Sequence, residues 1–183
     1  MTQSILIITG SPRKGGNSDL LAEAFAKGAV AAGHRVEIFD SAKHPVQGCI
    51  ACDTCWSKGK PCSFDDGFDV LAPLVEEADM LVLCGPLYWY TFSAQLKSAI
   101  DKFYAYMRPH CPRKLKLAES ALLMCAEDDR PEAFKGPLET YTSIVDYTGW
   151  KDRGTLLISG VNTKGDILKT DALERAEIMG RAV

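Results

Sequence analysis

The chain has 183 residues, of which 46% are hydrophobic and 25% are charged, and its formal net charge is −3. These values are typical of one globular domain, and scattered basic residues argue against a nucleic-acid-binding surface. The apolar runs are too short to cross a bilayer and the polar start lacks a signal-peptide pattern, so we expect a cytoplasmic protein without a membrane partner.

Short apolar runs alternate with amphipathic stretches along the chain. We predict strands over 4–9, 35–39, 79–84, 120–125 and 153–159, and helices over 17–32, 68–78, 92–107, 131–147 and 170–181. Gly33 should end the first helix, Pro73 should shorten or kink the second, and Gly85-Pro86 should end the third strand. Strict alternation predicts an α/β fold: a doubly wound, five-stranded parallel sheet in the order 2-1-3-4-5, with helices on both faces. Residues 1–183 then form a single domain with a cysteine-rich irregular stretch at 40–67.

The loop at residues 10–18 joins the first strand to the first helix, where a parallel sheet binds its ligands. Its glycines permit close approach of the backbone, and the helix N-terminus favours an anion. Asn17 or Ser18 can cap the helix. The sequence lacks the lysine of a Walker A loop and the spacing of a dinucleotide fingerprint. The donors suited to phosphate oxygens are Ser11, Arg13, Asn17 and Ser18.

A second loop, after the third strand, is rich in aromatic residues. Consecutive exposed aromatic rings are unfavourable unless they bury against something flat. A flat cofactor would satisfy them, whereas the alternative is that they cover the core or a second subunit. The residues are Pro86, Leu87, Tyr88, Trp89 and Tyr90.

Together these loops resemble those of the NADPH-dependent FMN reductase branch of the flavodoxin-like superfamily. The resemblance rests on Gly10-Ser11-Pro12-Arg13, Gly16-Asn17-Ser18, Gly85-Pro86-Leu87-Tyr88-Trp89-Tyr90, Gln95-Leu96-Lys97 and Ile100-Asp101. It implies a flavodoxin-like fold, with the FMN phosphate bound by the first loop and the flavin ring by the second. It also implies NAD(P)H as electron donor, a small acceptor such as a quinone, another flavin or a disulfide, and a homodimer. The flavin carries the chemistry, so no catalytic side chain is predicted.

The loop after the fourth predicted strand departs from the family, which often has small or aromatic residues there. It reads Ala126-Glu127-Asp128-Asp129-Arg130. Inward-pointing carboxylates would disfavour an anionic reduced flavin. Alternatively, they cap the following helix.

Four of the seven cysteines form a compact box, Cys49, Cys52, Cys55 and Cys62. The odd total and the reducing compartment argue against a disulfide framework. Successive two-residue spacers suit a 4Fe-4S cluster, whereas zinc sites usually separate two pairs more widely. The box resembles that of iron–sulfur flavoproteins, in which such a cluster exchanges electrons with FMN. Free or redox-active thiols are the alternative. Cys84 and Cys125 are predicted in the core, and Cys111 in a surface loop.

Three functions follow from these features. The first is an FMN-dependent NAD(P)H oxidoreductase. The second is an electron-transfer module that uses a 4Fe-4S cluster at the cysteine box. The third is a flavin-binding or thiol-sensing protein without catalysis.

Overall fold

The computed structural model describes residues 2–107 and 111–183. Five parallel strands form a sheet in the order β2-β1-β3-β5-β6, and this confirms the predicted order. The strands are β1 (Ser4–Thr9), β2 (Arg35–Asp40), β3 (Met80–Tyr88), β5 (Glu119–Cys125) and β6 (Lys151–Ile158), while β4 (Thr91–Phe92) pairs antiparallel with β3. β1, β3 and β5 are mostly apolar because helices cover both of their faces.

The helices divide between the two faces of the sheet. One layer contains α1 (Asn17–Ala31) and α5 (Ala172–Arg181), and the other contains α2 (Phe68–Glu77), α3 (Ala94–Asp101) and α4 (Lys135–Thr148). Three short 3-10 helices lie at Lys102–Tyr106, Pro131–Phe134 and Asp166–Lys169. Alternate side chains of the central strands enter the two cores, so Ile7 faces α1 and Ile8 faces α2. No helix within the described ranges has the length and apolar character needed to span a bilayer.

Most predicted elements agree with the structure within one or two residues, but the third strand and the helix after it do not. β3 continues through Gly85 and Pro86 because Pro86 aligns with Cys125 of β5 and the chain then turns back as β4. Phe92 therefore lies in a hairpin and not in a helix. α3 begins at Ala94, where the Ser93 hydroxyl accepts a hydrogen bond from the amide of Leu96 at 3.4 Å.

Two local predictions about helix ends have different outcomes. Gly33 has a φ of +92°, as predicted for a glycine just beyond α1. The prediction that Asn17 or Ser18 caps α1 is wrong. Gly16 occupies the N-cap position, and α1 has no capping hydrogen bond from a side chain.

Candidate active site

A crevice opens at the carboxyl ends of the strands, where the strand order reverses between β1 and β3. It has a volume of about 410 Å³. Such a switch point is where doubly wound sheets bind ligands. Eight of the nine predicted cofactor-binding residues line it, namely Ser11, Arg13, Asn17, Ser18, Pro86, Leu87, Tyr88 and Trp89. Tyr90 is the exception, because it belongs to the same hairpin but does not line the crevice.

The first loop is a compact turn packed against α3. The Gly10 amide donates to the Cys84 carbonyl at 2.9 Å, and the Ser93 hydroxyl donates to the Gly10 carbonyl at 2.7 Å. A Cβ atom at Gly10 would lie 2.6 Å from Ser93 Oγ, so only glycine fits. The Ser11 hydroxyl accepts from the Arg13 amide at 3.1 Å. These contacts place the loop beside the first turn of α1, whose amides lack intrahelical acceptors and favour an anion.

A third segment at residues 160–165, after β6, completes this end of the crevice and was missed by the sequence analysis. Asn162 and Lys164 both line the crevice. Arg13 donates through Nη1 to the Asn162 carbonyl at 3.2 Å, and Lys164 donates through Nζ to the Lys14 carbonyl at 3.0 Å. Two cationic side chains therefore flank the N-terminus of α1.

Asn17 ties these two segments together. Its Nδ2 donates to the Thr163 carbonyl at 3.1 Å, and its Oδ1 accepts from the amides of Gly165 at 3.0 Å and Ile167 at 3.4 Å. The side-chain amide of Asn17 thus holds the loop after β6 in position. Because Nδ2 carries two hydrogens and only one is donated to Thr163, the other is available to a ligand.

The aromatic residues form the turn of the β3–β4 hairpin. Trp89 and Tyr90 have φ values of +47° and +63°, and they lie between the paired residues Tyr88 and Thr91. Two-residue hairpin turns with positive φ usually contain Asn or Gly, and each bulky residue there costs on the order of 1–2 kcal/mol. Trp89 is 93% exposed at the crevice. Strain of this kind clusters at functional sites.

The loop after β5 brings Glu127 to the crevice, whereas the carboxylate of Asp128 binds a neighbouring side chain instead. Glu127 lines the crevice together with Cys125 and Ala126. Asp128 instead binds the guanidinium of Arg130 through Nε and Nη2, at 2.9 and 2.7 Å, and this holds the pKa of Asp128 down at about 2. Arg130 also donates to the Tyr90 hydroxyl at 3.4 Å.

The four box cysteines line a second, much smaller cavity of about 20 Å³ against the 3-10 helix Lys102–Tyr106. Cys49 and Cys52 are exposed, Cys55 is half-buried and Cys62 is buried. The Ala51 amide lies 3.5 Å from Cys49 Sγ and donates to it, and hydrogen bonds from Thr54 and Ser63 lower the pKa of Cys52 to about 7. Cysteine is the ligand that a 4Fe-4S core requires, but the four side chains are not arranged around a common centre. Over residues 2–107 and 111–183, no three His, Cys, Asp or Glu side chains converge closely enough to hold a metal ion.

The other three cysteines have packing roles. Cys84 and Cys125 are buried as predicted, and burial raises the pKa of both thiols, that of Cys125 to about 12. The Cys84 thiol donates to the Ser18 carbonyl at 3.2 Å. Cys111 is half-buried and donates to the Arg113 carbonyl at 3.0 Å.

Residues 3–123 match the family model of the NADPH-dependent FMN reductases. The chain belongs to this family. An iron–sulfur flavoprotein of Archaeoglobus fulgidus is 33% identical over 70% of this chain and 57% of its own length. One from Methanocaldococcus jannaschii is 34% identical over 54% of this chain and 50% of its own length. The matches thus span little more than half of these relatives.

The fold of this family member recurs in a solved structure. An NAD(P)H:quinone oxidoreductase from Methanothermobacter marburgensis superposes with a TM-score of 0.74 at 21% identity, over 99% of this chain and 96% of the other. At this identity the likeness supports the flavodoxin-like architecture alone.

Proposed function

We propose that the chain is an FMN-dependent NAD(P)H oxidoreductase that passes reducing equivalents to a small acceptor such as a quinone. One observation carries the proposal: the N-terminus of α1, two cationic side chains and an aromatic hairpin meet in one crevice. This combination provides an anion site beside an apolar wall, which is what a phosphorylated aromatic cofactor requires.

Each part of the crevice has its own role in this proposal. Ser11, Arg13, Ser18 and the free Nδ2 hydrogen of Asn17 bind the FMN phosphate, and Lys164 adds a second positive charge. Pro86, Leu87, Tyr88 and Trp89 contact the ring, with Tyr90 holding the hairpin. When bound, the flavin supplies the hydride chemistry. The side chains bind it, orient it and exclude water from one of its faces.

The first test of the proposal is FMN binding and turnover. FMN-loaded protein is mixed with NADH or NADPH and a quinone, and loss of the reduced nicotinamide is followed by absorbance. We expect oxidation that requires both FMN and protein. Arg13→Gln should weaken FMN binding about tenfold or more, because it removes a charge-assisted hydrogen bond. Arg35→Gln is the matched control, since Arg35 lies at the amino end of β2. FMN-loaded protein that oxidises neither nicotinamide would refute the proposal.

A second candidate function is electron transfer through a 4Fe-4S cluster bound by Cys49, Cys52, Cys55 and Cys62. The shared cavity and the amide donor to Cys49 support it. A volume of about 20 Å³ also means that the loop must move outward, on the exposed side of Cys49 and Cys52, to admit the core. Protein prepared anaerobically should then contain on the order of four irons per chain together with acid-labile sulfide. Stoichiometric zinc, or thiols without metal, would refute this function.

We also propose that the protein acts in the cytoplasm as a homodimer. Seven free cysteines fit a reducing compartment. Trp89 is 93% exposed and offers an apolar surface on which a second copy can pack. Light scattering during size-exclusion chromatography tests the dimer, and a monomer at micromolar concentration would refute it.

A further inference from the structure

Glu127 carries a negative charge in a crevice whose other charged side chains suit an anion. The cations that line the crevice, Arg13 and Lys164, flank the N-terminus of α1. Within the described ranges no cation pairs with Glu127, because Asp128 binds the guanidinium of the neighbouring Arg130 through Nε and Nη2. The charge of Glu127 is therefore not neutralised by a partner where this residue lines the crevice.

The backbone on both sides of Glu127 is fixed to the segment after β6. The Ala126 carbonyl accepts a hydrogen bond from the Val161 amide at 2.8 Å, and the Asp128 carbonyl accepts one from the Gly160 amide at 3.2 Å. The side chain of Glu127 is exposed and takes no part in these contacts. Glu127→Gln therefore removes the charge without removing a contact that holds the loop.

The position of β5 in the sheet places Glu127 at the end of the crevice beside the aromatic hairpin. β3 lies between β1 and β5, and neighbouring strands are about 4.8 Å apart, so the ends of β1 and β5 are separated by about 10 Å. Cys125, two residues before Glu127, aligns with Pro86 of β3. Arg130 donates to the Tyr90 hydroxyl at 3.4 Å and so links the loop to the hairpin. A ligand whose phosphate lies after β1 thus extends across β3 and brings its ring toward Glu127.

The other titratable side chains that line the crevice do not cancel this charge. Cys125 is buried, and burial raises its pKa to about 12, so it remains a neutral thiol. Tyr88 presents a phenol from the hairpin. The two cations lie at the opposite end, after β1 and β6. A carboxylate in this position disfavours any state of the ring that gains negative charge.

We propose that Glu127 favours the neutral, doubly protonated form of the reduced flavin over its anion. The proposal rests on the FMN function proposed above. A hydride from NAD(P)H together with one proton from solvent gives the neutral form, whereas the hydride alone gives the anion. Repulsion by the carboxylate opposes the anion and so raises the pKa of the reduced ring. Charge near the ring nitrogens is one means by which a protein tunes a flavin.

The test is the pH dependence of the flavin reduction potential in FMN-loaded wild type and Glu127→Gln. Each protein is titrated anaerobically against a redox dye, and the flavin is followed by absorbance. The slope of potential against pH halves where reduction changes from taking up two protons to taking up one. Glu127→Gln should move this break to lower pH by at least about half a unit, which is roughly a threefold change in the acid dissociation constant.

Asp129→Asn is the matched control for the loss of one negative charge. Asp129 belongs to the same loop and is exposed, but it does not line the crevice. Its removal should move the break by less than about a third as much, because water screens exposed charges. Glu127→Asp, which keeps the charge on a shorter side chain, should move the break less than Glu127→Gln does.

The outcomes separate this proposal from the one on which it rests. Wild-type protein that binds no FMN refutes the proposed function, and the role of Glu127 with it. FMN-loaded Glu127→Gln with its break at the wild-type pH or above it refutes the role of Glu127 alone, as do equal shifts in Glu127→Gln and Asp129→Asn. A shift to lower pH that is confined to Glu127→Gln supports the role.

Discussion

At the scale of single residues, several side chains that line the crevice form hydrogen bonds within the protein as well as facing the space for a ligand. Asn17 is the clearest case, because its hydrogen bond to Thr163 joins residues 146 positions apart. The sequence of the first loop alone favours Asn17 as a helix cap, because it does not show that Thr163 lies beside Asn17 in the fold. Arg13 likewise has two roles: it lines the crevice, and its guanidinium group donates a hydrogen bond to the Asn162 carbonyl. The residue types were predictable, whereas their partners required the fold.

The ion pair between Glu119 and Arg153 joins β5 to β6 and gives a prediction for single residues. Two hydrogen bonds of 2.7 Å link the side chains, which are 13% and 26% exposed. Arg153 lowers the pKa of Glu119. Glu119→Gln should reduce the free energy of unfolding by about 1 kcal/mol near neutral pH.

The pH dependence of that loss has a definite sign. Because the folded pKa is lowered, the contribution of Glu119 is complete above its unfolded pKa of about 4.3 and is lost as the pH falls through the folded value. Urea denaturation of the variant and the wild type should therefore converge as the pH is lowered below the folded pKa of Glu119. Glu139→Gln, which breaks an exposed pair at 3.9 Å with Lys135, should change little at either pH. An equal loss at both pH values would contradict the argument.

At the scale of elements, the packing of α1 on α5 depends on two glycines. A Cβ atom at Gly28 would overlap the carbonyl of Glu177, and one at Gly180 would overlap the carbonyl of Phe25. Gly28→Ala would normally stabilise a helix interior by close to 1 kcal/mol. Here it should instead destabilise the protein by about 1–3 kcal/mol, because the added methyl group meets backbone that cannot move aside. Thermal unfolding tests this, with Gly48→Ala as a control in open space.

The aromatic hairpin depends on a third glycine, in the first turn of α4. A Cβ atom at Gly136 would overlap the carbonyl of Tyr90. Gly136→Ala should push the hairpin away from α4 and move Trp89 relative to the crevice, so we expect FMN affinity to fall about tenfold. Fluorescence titration with FMN measures the change. Ser143→Ala, further along α4 and outside the crevice, is the control. Unchanged affinity would mean that the hairpin does not contact the flavin.

At the scale of the whole molecule, alternation of apolar runs and amphipathic stretches was sufficient to predict the parallel sheet and its strand order. Burial on both faces leaves a strong signal in β1, β3 and β5. The hairpin at Thr91–Phe92 escaped prediction because two paired residues carry no periodicity, and Gly85-Pro86 normally ends a strand. The loop at residues 160–165 escaped because it reaches the crevice through hydrogen bonds with Arg13 and Asn17, which lie far from it in the sequence. The burial of Lys102 was not predictable either, because no sequence pattern distinguishes a buried lysine from an exposed one.

The crevice and the fold should be thermodynamically coupled, which gives a prediction for the whole chain. A ligand that binds only the folded state stabilises it, by about 2.7 kcal/mol at a concentration 100 times its dissociation constant. For a domain of this length that corresponds to a rise in the unfolding midpoint of about 5–11 °C. FMN should produce this shift in differential scanning fluorimetry or calorimetry.

The same experiment distinguishes the contribution of the phosphate-binding end of the crevice from that of the ring-binding end. Riboflavin has the same ring and no phosphate, so at the same concentration it should raise the midpoint by less than half as much, because it leaves the N-terminus of α1 without an anion. Arg13→Gln should reduce the FMN shift and leave the riboflavin shift unchanged. Equal shifts for the two ligands would mean that residues 10–18 do not bind the phosphate. No shift with either ligand would mean that the crevice does not bind a flavin.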